Sequence, residues 1–114
     1  MFARLMGLRV VTPSRLHELV QQGGVTVIDV NAPQSWQAAR VRGAVNLDPG
    51  RFFGSDLPPD LASPLVFYCS NVWCRKAPQA ARRAEALGYR DVQVMSAGIK
   101  GWLDEGLPTE SGAR

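Results

Sequence analysis

With 114 residues, 46% of them hydrophobic and 20% charged, the chain is long enough to bury one core and too short for two ordinary domains. Two cysteines are too few for a disulfide framework, and a formal charge of +3 is too small to mark a nucleic-acid binder. No apolar run approaches the length of a membrane span, and Arg4, Arg9 and Pro13 break up the apolar N-terminus, so a reducing, cytoplasmic setting is expected, with no membrane or nucleic-acid partner.

Leu8 to Val11 reads as a short first strand. Thr12 follows as an N-cap and Pro13 as a first helical residue, with Leu16, Leu19 and Val20 on one face and Gly23-Gly24 as the stop. His17, the single histidine, falls between these apolar positions and is expected on the solvent side of the helix. Val25 to Val30 is almost wholly apolar, the pattern of a central strand covered on both faces. Asp29 within it is expected to accept backbone N–H groups at the strand end, a structural role. Pro33 to Arg40 predicts a short helix with Trp36 in the core, Ala44 to Leu47 a third strand, and Asp48-Pro49-Gly50 a turn. Arg51 to Ser63 shows no sustained period, so a surface loop with room for one helical turn is expected, anchored by Phe52, Phe53 and Leu57.

Leu65-Val66-Phe67-Tyr68, bounded by Pro64, is a second strand of the fully buried type. Beyond a short polar loop, Ala77, Ala80, Ala81, Ala84 and Leu87 recur at helical spacing, and Gly88 stops them. Cys69 therefore stands where a strand ends and a loop leads into a helix N-terminus. Open α/β sheets place their ligand crevice there, and backbone N–H groups and the helix dipole stabilise an anion at that point. Nearby Arg75 and Lys76 add to the preference for a thiolate, which is the nucleophilic form of cysteine. Arg82 and Arg83 extend the positive charge expected around such a pocket. The competing reading makes Cys69 a small buried apolar residue. Val92 to Met95 gives a last strand, Gly98 to Glu105 a last helix, and Thr109 to Arg114 a frayed polar tail. Strands alternating with helices predict an α/β fold with a mostly parallel sheet and helices on both faces.

The stretch FYCSNVWCRKAPQAA, residues 67–81, resembles the active loop of the rhodanese-like sulfurtransferases, in which a cysteine ending a strand carries sulfur as a persulfide. Other segments agree in order. Val27-Ile28-Asp29-Val30 is similar to the family's "IDVR", Gly43-Ala44-Val45-Asn46 to "GAVN", Gly88-Tyr89 with Val92 to "GY.NV", and Ala97-Gly98-Ile99-Lys100-Gly101-Trp102 to the closing "GG...W". The resemblance implies a single rhodanese-like domain over 1–114 with a five-stranded sheet. It implies Cys69 as the sulfur carrier, a small sulfur-containing anion such as thiosulfate as donor, and a thiol or cyanide as acceptor. Arg75 and Cys74 are the further catalytic candidates, with Ser70, Asn71, Val72, Trp73 and Lys76 as the loop that would hold the donor; no cofactor or metal is called for. The chain also departs from the family. Asn31 and Ser35 stand where an arginine and a glutamate are usual, "GHIPGA" reads Ala39-Arg40-Val41-Arg42-Gly43-Ala44 without its histidine, and the longer loop carries a second cysteine. That C-x4-C spacing looks like a subset of the single-domain members.

Two other functions fit the same residues. Cys69 and Arg75 satisfy C-x5-R, the loop spacing of cysteine-dependent phosphatases and arsenate reductases, although Tyr68 and Lys76 replace the residues usual on either side and no general-acid Asp is evident. A non-catalytic domain that binds a protein or senses oxidants through Cys69 and Cys74 fits the missing Arg, Glu and His. An exposed Trp73 would favour a protein partner at the loop, whereas the sequence reading packs it inward. The short spacing lets the two thiols meet if the loop curls, so Cys74 is either a thiol that resolves the persulfide or a small residue packed behind the loop. Two cysteines and one distant histidine are too few for a closed zinc site.

Overall fold

The computed structural model describes residues 2–113. Its centre is built by the two runs that read as buried on both faces. Thr26–Asp29 (β2) and Leu65–Tyr68 (β5) pair in parallel, with Thr26 opposite Leu65 and Asp29 opposite Tyr68. Because side chains alternate along a strand, Leu65 and Phe67 enter one packing layer and Val66 and Tyr68 the other. Val92–Val94 (β6) joins the other edge of β5, Arg9–Val10 (β1) lies beside β6, and Val45–Asn46 (β4) beside β2. The result is a five-stranded, wholly parallel sheet in the order β1-β6-β5-β2-β4, with β5 at its middle.

Parallel strands need crossovers, and helices fill both layers. Ala77, Ala80, Ala81 and Ala84 of Lys76–Ala86 (α4) press onto Ile28, Val30, Leu65 and Phe67. On the opposite face, Pro13–Gln22 (α2) and Gly98–Asp104 (α5) bring Leu16 and Trp102 against Val27, Val66 and Tyr68. α2 begins as its sequence predicts: the Thr12 hydroxyl accepts the Arg15 N–H at 3.2 Å and Pro13 occupies the first turn. His17 is half-buried instead of solvent-facing, its ring edge-on to Trp102 at 5.9 Å.

Between β2 and β4, Pro33–Ala38 (α3) is shorter than predicted. Trp36 is half-buried and not in the core: its indole N–H donates to the Ala44 carbonyl at 2.9 Å, and the Arg40 guanidinium lies 3.8 Å over its ring. In the 51–63 loop, Phe52 packs against Phe67 at 6.0 Å and Leu57 is buried, while a single 3-10 turn spans Gly54–Asp56. Phe53, predicted as a third anchor, is exposed.

Three short elements carry no sequence signal. Phe2–Leu5 (α1) puts Ala3 into the layer shared with α4. Arg40–Val41 (β3) and Thr109–Glu110 (β7) form an antiparallel pair of their own. Of the tail predicted as frayed over 109–114, residues 109–112 are thus tied down: the Gly112 N–H donates to the Gln37 carbonyl at 2.8 Å, and its carbonyl accepts from the buried Arg40 guanidinium at 2.7 Å. Arg114 lies outside the described residues. Among the described residues, no helix is long and apolar enough to cross a membrane.

Candidate active site

Cys69 directly follows β5 at the middle of the sheet and is 3% exposed. The loop after it curls within a few residues. The Asn71 side-chain oxygen accepts the Trp73 N–H at 2.9 Å, and the Asn71 carbonyl accepts the Cys74 N–H at 3.1 Å. An Asn side chain that bonds the backbone two residues on stabilises this kind of turn. The turn returns Cys74 to Cys69, and the two are joined in a disulfide with their Cα atoms 6.4 Å apart. Directly beyond, α4 starts at Lys76. The N–H groups of its first turn have no intrahelical partners and carry the positive end of the helix dipole.

The loop is held from beneath by the start of α5. The Ile99 N–H donates to the Cys69 carbonyl at 2.9 Å and the Lys100 N–H to the Ser70 carbonyl at 3.0 Å. Gly98 makes this approach possible. Its φ is +66°, and a Cβ there would lie 2.5 Å from the Ser70 carbonyl carbon and 2.6 Å from the Asn71 nitrogen. From the side, the Ser70 hydroxyl donates to the Asn31 side-chain oxygen at 2.8 Å. The Asn46 amide fixes the Asn31 segment in turn, donating to the Asp29 and Asn31 carbonyls at 2.9 Å each. A buried neutral side chain therefore positions the loop at the place where the sequence departs from "IDVR".

Asp29 is on the sheet face opposite Cys69 and has the structural role its position predicts. Its carboxylate accepts the Asn31 N–H at 2.8 Å and the Tyr68 hydroxyl at 2.7 Å, while the Tyr68 oxygen accepts the Val41 N–H at 3.1 Å. Burial pushes the Asp29 carboxyl above the usual range, and burial together with the facing Asp29 charge pushes the Tyr68 phenol far above its own.

Beside the cysteines is a cavity of about 10 Å³, bordered among others by Phe2, Ala77 and Ser96. It has room for about one water-sized atom. Ser96 Oγ is buried and, among the described residues, is the one such side-chain oxygen or nitrogen without a hydrogen-bond partner. Phe2, Asn31, Gly98 and Ser96 are the contributors that sequence reasoning missed. Ser96 could have been found by the sheet rule alone, since it follows β6 at the same C-terminal edge as Cys69.

A family model for the rhodanese-like domain matches residues 12–105. The chain belongs to the rhodanese-like family. It is 31% identical over 105 residues to the HTH-type transcriptional regulator Rv0324 of Mycobacterium tuberculosis, a match that covers 90% of this chain and 45% of that protein, so the chain spans about half of that relative. To the thiosulfate sulfurtransferase GlpE of Haemophilus influenzae it is 24% identical over 106 residues, 93% of this chain and 98% of that protein. The BH2092 protein from Bacillus halodurans shares the fold, with a TM-score of 0.82 at 18% identity over 98% of this chain and 82% of that one. The single-domain rhodanese-like α/β architecture expected from the motifs is the one found.

The remaining loop residues of this rhodanese-like domain divide into two groups. Asn71 and Val72 border the cavity with Cys69 and Cys74, and Ser70 turns aside to Asn31. Trp73 is 64% exposed, contrary to the inward packing read from the sequence. The cations do not converge on the cavity. The Arg75 guanidinium lies 4.5 Å over the Phe2 ring, and Lys76 borders a separate depression with Asn31, Asn46 and Asp48. Arg82 donates to the Met6 carbonyl, while Arg83 donates to the Phe52 carbonyl at 2.9 Å with its guanidinium 5.2 Å over the Phe52 ring. The pocket charge expected of Arg82 and Arg83 is instead used to fasten neighbouring segments to α4, because a planar guanidinium stacks on aromatic faces while its N–H groups reach carbonyls.

Proposed function

We propose that this domain is a sulfurtransferase that takes the sulfane sulfur of a small anionic donor such as thiosulfate onto Cys69 and passes it to a thiol or cyanide. The observation that carries the reading is the position of Cys69, at the end of the central strand, against the first turn of α4, with a one-atom cavity beside it. With the disulfide reduced, as a reducing cytoplasm would keep it, the Cys69 thiolate attacks the outer sulfur of thiosulfate. The donor's S–S bond breaks, sulfite leaves with the electron pair, and Cys69 holds the sulfur as a persulfide. The loop amides that the Asn71 turn leaves free, together with the first turn of α4, stabilise the negative charge on the outer sulfur. The acceptor then attacks that sulfur and the Cys69 thiolate returns.

Reduced protein supplied with thiosulfate and cyanide tests this. Thiocyanate should form with the parent and not with Cys69→Ser; a parent that releases neither sulfite nor thiocyanate overturns the reading.

The disulfide favours a second reading, in which opening and closing of the Cys69–Cys74 bond is the signal and another domain or protein reads it at the exposed Val72 and Trp73. Similarity to a transcriptional regulator about twice as long is in keeping with that role. A sensor of this kind would cycle between dithiol and disulfide and yield no thiocyanate. Phosphatase or arsenate reductase chemistry finds less support, since C-x5-R requires its arginine at the anion and Arg75 stacks on Phe2.

A further inference from the structure

We propose that Cys74 discharges the persulfide, which makes the domain a dithiol-dependent reductase of sulfane sulfur; the inference rests on the persulfide chemistry proposed above. Its basis is that Cys69 and Cys74 meet without any change of fold. The loop start is pinned by the Ile99 and Lys100 amides, its turn by the Asn71 side chain and carbonyl, and its end by entry into α4. The bonded pair is the completed form of a contact between the Cys74 sulfur and Cys69 Sγ, and Cys69 Sγ is the inner sulfur of the persulfide. The outer sulfur needs a separate place, and both cysteines border the cavity of about 10 Å³, which Ala77 and the Ser96 hydroxyl, unpartnered among the described residues, also line and which has room for about one water-sized atom.

The step balances as follows. The Cys74 thiolate attacks the inner sulfur of Cys69–S–SH and the Cys69–Cys74 bond forms. The bond between Cys69 Sγ and the outer sulfur breaks, and its electron pair leaves with the outer sulfur as hydrosulfide. The sulfane sulfur is reduced while the two cysteine sulfurs are oxidised to a disulfide. A disulfide cannot accept a second sulfur, so a dithiol reductant must reset the site. Cys74 is half-buried and Cys69 almost fully buried, so the reductant attacks Cys74 and the Cys69 thiolate leaves, facing the helix N-terminus again. The sum is sulfane donor plus dithiol giving, for thiosulfate, sulfite, hydrosulfide and oxidised dithiol.

The test uses the full chain, reduced, stripped of reductant and kept free of oxygen, then given thiosulfate. Parent, Cys74→Ser and Cys74→Ala are compared for sulfite, for sulfide and for intact mass. In the parent, sulfite should be followed by an equal amount of sulfide, and the protein should end two hydrogens lighter than its reduced form. Both variants should release sulfite, keep one extra sulfur on Cys69 and lose the sulfide signal. A parent that holds the extra sulfur as long as the variants do overturns the role of Cys74 and leaves the transfer reaction intact. Absence of sulfite from all three proteins overturns the transfer reaction and this inference with it.

Discussion

Gly98→Ala probes the joint on which the active loop rests. The φ of +66° at Gly98 is a conformation that costs an L-residue about 1–2 kcal/mol. The added Cβ would sit 2.5 Å from the Ser70 carbonyl carbon and 2.6 Å from the Asn71 nitrogen. That is about 1 Å inside the usual carbon contact distance. These are backbone atoms, held by the Ile99 and Lys100 amides, so no side chain can swing away to relieve the overlap. Overpacking of this kind costs about 1–3 kcal/mol, which brings the expected loss of stability to roughly 2–5 kcal/mol. The loop carrying Cys69 would have to move by about 1 Å, and a shift of that size slows a reaction by about a hundredfold. Urea unfolding of the reduced proteins reads the first quantity, and single-turnover sulfite release without urea reads the second. A variant within about 0.5 kcal/mol of the parent that releases sulfite at the parent's rate would refute the claim that the close approach of α5 holds the loop.

Three further outcomes are expected. Tyr68→Phe leaves an Asp29 carboxylate oxygen and the Val41 N–H without their buried partner, and should cost about 2–4 kcal/mol by denaturant unfolding; a loss below about 1 kcal/mol would mean that the network is not needed. Arg75→Ala removes an exposed cation–π contact worth about 0.5–1 kcal/mol of stability, yet should lower thiosulfate turnover about tenfold if the guanidinium leaves Phe2 for the donor. Equal turnover across donor concentrations would show that it stays on the ring. Asp29 binds its proton more readily folded than unfolded, so stability should fall as pH rises through the range just above the ordinary aspartate pKa, where the carboxyl becomes a buried charge. The stability of the parent relative to Asp29→Asn should decline with pH over that range, and a flat difference would contradict the assignment.

The sheet was legible because its central strands are buried on both faces and read as near-continuous apolar runs, β2 and β5 above all. Helices α2 and α4 announced themselves through a Thr-Pro start and an alanine stripe. Nothing comparable marks α1, whose four residues are too few to show a period and take their place by packing Ala3 into the layer shared with α4. The β3–β7 pair is equally silent, since two-residue strands have no period and the groups that hold the tail, the Arg40 guanidinium and the Gln37 carbonyl among them, lie far from it in sequence. At the site, the position of Cys69 between the end of a central strand and the start of a helix was legible from the order of strand, loop and helix. The directions of Trp73, Arg75, Arg82 and Arg83 were not, because long side chains choose among several partners, and the Phe2 and Phe52 rings and the Met6 carbonyl that the arginines settle on lie far away in sequence. The Cys69–Cys74 spacing allowed a disulfide without requiring one; the Asn71 turn decides it.

The central claim is that Cys69 itself carries the transferred sulfur. Reduced protein exposed to thiosulfate, quenched by alkylation and digested, places the added mass by peptide mass spectrometry. The Cys74→Ser variant, which cannot close the loop disulfide, gives the cleanest reading. One extra sulfur on the peptide bearing Cys69, and none after Cys69→Ser, is the predicted result. An unmodified Cys69 in protein that remains folded and reduced would contradict it.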